Sequence, residues 1–176
     1  MARAIQEVSP VPYLYTGIDS QFAMVPEKWG GGRAGPLSLE GFRYDVSELD
    51  GHREVRIIAG PVGLSMLRAM HRATAALCGE GFNVVIDEML LAPELLSSWR
   101  DALRGTAVLF VAVECPLAEL EKRERGRRPP QGLARGQLGI VHTHGWPYDL
   151  HVDTSTAEAD ELAAGVLARC LPSRNV

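Results

Sequence analysis

Two short apolar runs, each closing on acid and each followed by a helix-length segment, set the architecture open to this chain. Asn83-Val84-Val85-Ile86-Asp87 is nearly continuous in apolar residues, the pattern of a buried parallel strand with a functional residue at its carboxyl end. Ala107 to Glu114 is apolar on both faces, so it is expected to be a strand that is central or covered on both sides. Helices are expected after each run, from Pro93 to Leu103 and from Pro116 into a group of arginines. Strands alternating with helices imply right-handed crossovers, a mainly parallel sheet, and ligands outside the carboxyl ends of the strands.

The remaining segments fit that frame. Ala2 to Val8 reads as a helix stopped by Ser9-Pro10-Val11-Pro12, because proline cannot continue the hydrogen-bond ladder. Tyr13 to Thr16 is a short strand candidate, with Gly17-Ile18-Asp19-Ser20 as the loop leaving it. Gly30 to Pro36 reads as a connector. Beyond it, apolar residues alternate toward Asp50-Gly51 and away again, which predicts a β-hairpin within 39–58. Pro61 opens a helix whose apolar positions Leu64, Leu67, Met70, Ala73 and Leu77 follow helical spacing and which ends at Gly79. Pro129-Pro130-Gln131-Gly132 breaks the arginine-bearing helix, and Leu133 to Val141 forms another, so 123–136 has the layout of a moving lid. Leu150 to Asp153 is a last strand, and Ser155 with Glu158 makes a capping box for a helix from Ala157 to Leu171.

At 176 residues the chain is the size of one domain and can bury a core without staples. A net charge of −4 argues against a nucleic-acid binder. No apolar run is long enough for a membrane helix. The amino terminus has no secretory apolar core, and Cys78, Cys115 and Cys170 are odd in number and far apart. Both point to a cytoplasmic protein with reduced, buried thiols.

Three places carry chemistry: Asp19 after the first strand, Asp87-Glu88 after the second, and Arg123, Arg125, Arg127, Arg128 and Arg135 beyond the third. Phosphoryl transfer needs a carboxylate for the acceptor hydroxyl, an acid near magnesium, and positive charge over the transferring group. Each has a plainer reading. Asp19 can cap a helix, Asp87 can bind backbone or a lysine, and the arginines can be a solvated helix face. His142-Thr143-His144 lacks a further ligand at zinc spacing, so His142 is expected to pack or hydrogen-bond near the nucleotide side. Trp29, Trp99 and Trp146 are expected in the core or a pocket lining.

The segments Tyr15 to Ser20, Val84 to Glu88, Arg125-Gly126-Arg127-Arg128, and Val141-His142 followed by Tyr148 to Thr154 together resemble the chloramphenicol phosphotransferase family of small P-loop kinases. The resemblance implies a three-layer α/β kinase fold using ATP and magnesium on a small-molecule hydroxyl, with chloramphenicol the acceptor it suggests. By the same resemblance Asp19 takes the proton from the acceptor hydroxyl, with Ser20 and Glu88 beside the substrate. Asp87 holds magnesium through water, while Arg123, Arg125 and Arg128 meet the phosphates. Arg127 stands where the family usually has Asp. The segment Phe22 to Ile58 would shape the acceptor site, and association with a second copy stays open.

The family's Gly-x-x-x-x-Gly-Lys-Ser/Thr loop occurs nowhere in the chain. Backbone N–H groups and the lysine of that loop cradle phosphates. The resemblance places the missing first strand and loop immediately before Met1, with the strand an interior member of the sheet. Two readings follow: a kinase lacking its amino-terminal part, or a non-catalytic remnant that binds a ligand or partner. A hydrolase finds no Gly-x-Ser-x-Gly elbow here.

Overall fold

The computed structural model describes residues 1–31, 37–127, 130–142, 145 and 147–170. Helix α1 (Ala2–Val8) ends where the Ser9 N–H donates to Ile5 O at 3.1 Å and the prolines begin. Strand β1 (Tyr13–Gly17) leads into α2 (Ile18–Met24) and a 3₁₀ turn at Glu27–Trp29. Strands β2 (Phe42–Leu49) and β3 (His52–Ala59) form the expected hairpin, paired antiparallel from Phe42↔Ala59 to Leu49↔His52. Asp50 (φ 52°) and Gly51 (φ 74°) both occupy left-handed space, the two-residue turn whose twist matches antiparallel strands. Next come α3 (Pro61–Gly79), β4 (Asn83–Asp87), α4 (Pro93–Ala102), β5 (Val111–Glu114), α5 (Leu117–Arg125), α6 (Leu133–Val141), β6 (Leu150–Asp153) and α7 (Ala159–Cys170).

The fold is α/β with three layers. Successive residues of a strand point to opposite faces, and β4 uses both: Ile86 packs into a cluster with Leu67 of α3 and Leu95 and Trp99 of α4. Val85 packs into a second cluster with Ala4 and Ile5 of α1 and Val166 and Leu167 of α7. Leu67 and Leu95 are each 1% exposed, and each contributes roughly 1.5–3 kcal/mol by leaving water.

The sheet is split. β1 pairs parallel with β4 from Tyr13↔Asn83 to Gly17↔Asp87, and β5 pairs parallel with β6 from Val111↔Leu150 to Glu114↔Asp153. Among the described residues no ladder joins the two pairs.

Several expectations change. The strand expected over Ala107 to Glu114 forms only at Val111–Glu114, and Val108 and Val113 are 37% and 44% exposed. The run is held at Phe110, whose carbonyl accepts the Asp149 N–H at 2.9 Å and whose N–H donates to Asp149 Oδ2 at 2.8 Å, and the ladder with β6 starts only at Val111. The Gly17–Ser20 loop is the first turn of α2, because the Ser20 hydroxyl accepts the Gly17 N–H at 3.0 Å and donates to Gly17 O at 2.8 Å. No capping box forms at Ser155: its hydroxyl donates to Asp153 Oδ1 at 2.7 Å instead, and α7 begins later, at Ala159. The buried stripe of α3 runs through Gly63, Leu67, His71 and Thr74, so Ala73 and Leu77 face solvent. Cys170 is exposed, although the described cysteines are all free thiols. Trp99 lies in the core at 4% exposed. Trp146, Thr143, His144, Leu171 and the 32–36 part of the connector lie outside the described residues. Among the described residues no helix is long and apolar enough to cross a membrane.

Candidate active site

The in-register pairing of β1 with β4 sets Gly17 opposite Asp87 at the carboxyl ends of both strands. The approach is so close that a Cβ on residue 17 would run into the Asp87 backbone carbonyl. Glycine is therefore what lets α2 start against the end of β4. Asp19, in the first turn of α2, and Asp87 are both exposed.

Two residues that the sequence reading did not single out tie this corner together. The Tyr15 hydroxyl donates to Asp87 Oδ2 at 3.4 Å, and the Arg3 guanidinium lies 4.3 Å from the Tyr15 ring centroid. Burial raises the Tyr15 phenol pKa first, the charges of Asp87 and Asp19 add to that rise, and Arg3 opposes it. Asp19, Asp87 and Arg3 thus act on one phenol. The available sequence signal was a lone basic residue in α1, which runs beside β1 and β4.

Glu88 turns the other way, into the core. Its carboxylate accepts the Trp99 indole N–H at 3.1 Å and the Met89 backbone N–H at 3.0 Å. His71, fully buried, stacks on Trp99 at 3.9 Å between centroids, and its Nδ1 is 2.9 Å from the Ser98 hydroxyl. His71 Nε2 faces Glu88 Oε2 at 3.9 Å, beyond hydrogen-bond reach. Burial pushes the Glu88 carboxyl up to about 7 against the pull of those two donors. Burial, with the charges of Arg72 and Arg68, pushes His71 down to about 4.

The arginines divide by partner. Arg123 donates to Glu119 Oε1 at 3.1 Å and, through both terminal nitrogens, to Thr154 Oγ1 at 3.1 Å and Thr154 O at 2.9 Å. The Thr154 N–H and hydroxyl in turn donate to Glu114 O at 2.9 and 3.1 Å, which anchors the turn after β6 to the end of β5. A cleft of about 440 Å³ opens at this turn, lined by Arg123, the segment from Thr154 to Ala159, Leu162 and Met1. Met1 precedes α1, so the helix carrying Arg3 borders the cleft at its start. Arg125 and Arg127 are exposed, and Arg128 lies outside the described residues.

Arg135 is held by Glu121 Oε1 at 2.6 and 2.9 Å. The Glu124 carboxylate accepts the Gly132 and Ala134 N–H groups at 2.9 Å each, supplying partners that the start of α6 would otherwise lack. The segment expected as a lid is also docked on the hairpin. The Val55 N–H donates to Gly132 O at 2.9 Å, and Arg56 Nε donates to Gly136 O at 3.2 Å.

Among the described residues no three His, Cys, Asp or Glu side chains gather as a metal cage. His142 Nδ1 lies 3.2 Å from the Tyr148 hydroxyl. A magnesium carried by nucleotide phosphates asks less of a protein, one or two carboxylates with water completing the shell. The exposed Asp87 carboxylate, whose hydrogen bond from the Tyr15 hydroxyl is long at 3.4 Å, fits that demand.

Known proteins bear on this arrangement. Two curated relatives, from two strains of Mycobacterium tuberculosis and both named "Putative O-phosphotransferase", are each 30% identical over 167 residues, 93% of this chain and 72% of their own length. The family model described as chloramphenicol phosphotransferase-like protein matches residues 1–170. With a match of that extent, the chain belongs to the chloramphenicol phosphotransferase-like family.

Proposed function

We propose that the chain is the larger part of an ATP-dependent O-phosphotransferase whose acceptor is a hydroxyl of a small molecule. The observation that carries the reading is the meeting of Asp19 and Asp87 around Tyr15 and Arg3 at the carboxyl ends of paired parallel strands. Asp19, exposed and on a helix start, takes the proton as the acceptor oxygen bonds to the γ-phosphorus and the bond to the ADP oxygen breaks. Asp87 would hold magnesium through water, and the ion would supply charge neutralisation on the phosphates. Tyr15 and Arg3 fix the Asp87 side of the corner. Arg123 belongs to the cleft wall, where it braces the Thr154 turn, while Arg125 is free to reach phosphate oxygens. Ser20 is spent on the α2 turn and Glu88 on Trp99, so both support the site from behind.

The 176 residues contain no Gly-x-x-x-x-Gly-Lys-Ser/Thr loop, and we take that loop to be carried by polypeptide ahead of Met1. Chloramphenicol is one acceptor to try among others. The test mixes the protein, extended by its upstream in-frame codons, with ATP, magnesium and a panel of hydroxyl compounds. Asp19→Asn is expected to lower turnover about 10²–10⁴-fold, the usual weight of a positioned general base. Equal turnover in both proteins would remove Asp19 from the mechanism. The absent loop also favours a second reading, a scaffold that binds without transferring phosphate. That protein would show no magnesium-dependent ATP affinity even when extended.

A further inference from the structure

We infer that His71, Ser98 and Trp99 are positioning residues, a buried chain that works through Glu88 to aim the Asp87 carboxylate at a divalent cation. This rests on the proposed assignment of magnesium to Asp87 and extends it into the core. Asp87 ends β4, and the backbone then runs without regular structure until α4 begins at Pro93. The hydrogen bond from the Tyr15 hydroxyl to the Asp87 carboxylate is long at 3.4 Å, so the aim of that carboxylate depends also on the main chain through Glu88 and Met89.

That stretch of main chain is pinned from inside. Glu88 Oε1 accepts the Met89 N–H at 3.0 Å, which closes the turn on itself, and Glu88 Oε2 accepts the Trp99 indole N–H at 3.1 Å from α4. Leu90 and Leu91 are buried just beyond. Trp99 stacks on His71 of α3 with centroids 3.9 Å and planes 20° apart, and His71 Nδ1 lies 2.9 Å from the Ser98 hydroxyl, which fixes the ring. A shift of the imidazole moves the indole, the indole moves the Glu88 carboxylate, and Glu88 is the covalent neighbour of Asp87.

The chain is also polar where packing asks for nothing polar. Around it α3 and α4 meet through Leu67, Leu95 and Leu96, and an apolar residue at position 71 would complete that layer. His71 instead is wholly buried, its Nε2 has no hydrogen-bond partner, and Glu88 Oε2 stands 3.9 Å away. A nitrogen left so destabilises a core, whereas a buried polar chain of this kind holds its members in one arrangement. Groups standing behind a metal ligand orient it, and their loss weakens metal affinity about 10–100-fold.

The experiment titrates this chain, isotope-labelled for NMR, with Mn²⁺ alone. Mn²⁺ shares the oxygen-ligand preference of Mg²⁺, and its unpaired electrons broaden the amide signals of nearby residues. In the parent chain the signals of Gly17 and Asp87 should broaden, and Asp87→Asn should abolish the effect. Trp99→Phe keeps an aromatic face for His71 and removes the indole N–H, so half-broadening at Asp87 should need about 10-fold more Mn²⁺. Glu88→Gln turns one of the two accepting oxygens into a donor and should act in the same direction; if Trp99→Phe does not fold, Glu88→Gln decides. Broadening around the exposed Asp50 at the hairpin tip should be the same in every variant that folds. A lower urea midpoint with unchanged broadening at Asp87 makes the chain structural only and overturns the proposal, as does equal weakening at Asp87 and Asp50. A parent chain with no broadening at Asp87 overturns the proposal together with the assignment of magnesium to that residue. Metal held at Asp87 and weakened by both variants, in a protein that transfers no phosphate, upholds the proposal and refutes the enzymatic reading alone.

Discussion

Gly136→Ala offers a direct test of how α6 is seated on the hairpin. Gly136 is buried in α6, and a Cβ there would collide with the backbone carbonyl of Val55, a residue with no solvent exposure. The obstacle is main chain inside a paired strand, so no rotamer change relieves it. The helix must lift, and lifting strains the Val55 N–H bond to Gly132 O and the Arg56 bond to Gly136 O. Each of those bonds is worth about 1 kcal/mol net, and overpacking adds about 2 kcal/mol. Alanine returns about 1 kcal/mol through helix propensity, which leaves a net loss of about 3 kcal/mol. With a urea slope of about 2 kcal/mol/M, the unfolding midpoint should fall by about 1.5 M. Gly139→Ala is the internal control. It lies in the same helix with nothing within 4 Å of its Cβ position, so it should stabilise by up to about 1 kcal/mol. If the Gly136 variant is as stable as the Gly139 variant, α6 does not sit on β3 as described.

Glu88→Gln tests the buried carboxyl. A group raised to about 7 in the fold adds stability that is fully present below its unfolded pKa, near 4.5, and is lost as pH rises through 7. Between pH 5 and pH 8 the parent protein should therefore lose stability relative to the Gln variant, by up to about 3 kcal/mol; parallel urea midpoints across that range would show that Glu88 is not raised. His71 works in the opposite sense, its contribution present above pH 6.5 and lost toward pH 4, so the comparison with Gln isolates the carboxyl. Glu124→Ala removes both side-chain acceptors from the start of α6 and should cost about 1–2 kcal/mol by thermal or urea unfolding; a neutral result would mean that solvent serves those N–H groups equally well.

The elements that could be read from the sequence are those whose signals are local. The Asp50-Gly51 turn, the Pro61 helix start and the proline stop after Val8 depend on backbone chemistry within a few residues, and each forms where expected. What escaped depends on partners far along the chain. The 107–114 run has the composition of a strand paired on both edges, yet composition cannot say whether a neighbour is present, and only Val111–Glu114 pairs. His71 and Trp99 stack across 28 positions, and Arg3 meets Tyr15 through the packing of α1 on β1. The separate acids Asp19 and Asp87 stood out as strand-end carboxylates. Their shared influence on Tyr15 comes from the β1–β4 register, which no spacing in the chain reveals.

The seating of α6 has a mechanical consequence. α6 is fastened to β3 at Gly132 and Gly136, and to α5 by Arg135–Glu121 and the Glu124 carboxylate. The hairpin on the proposed acceptor side and the arginine-bearing helix are therefore joined through α6 as one mechanical unit. Strain placed on the hairpin is passed through Gly132 and Gly136 to the helix that carries Arg125, so the two ends of this unit are not independent in packing.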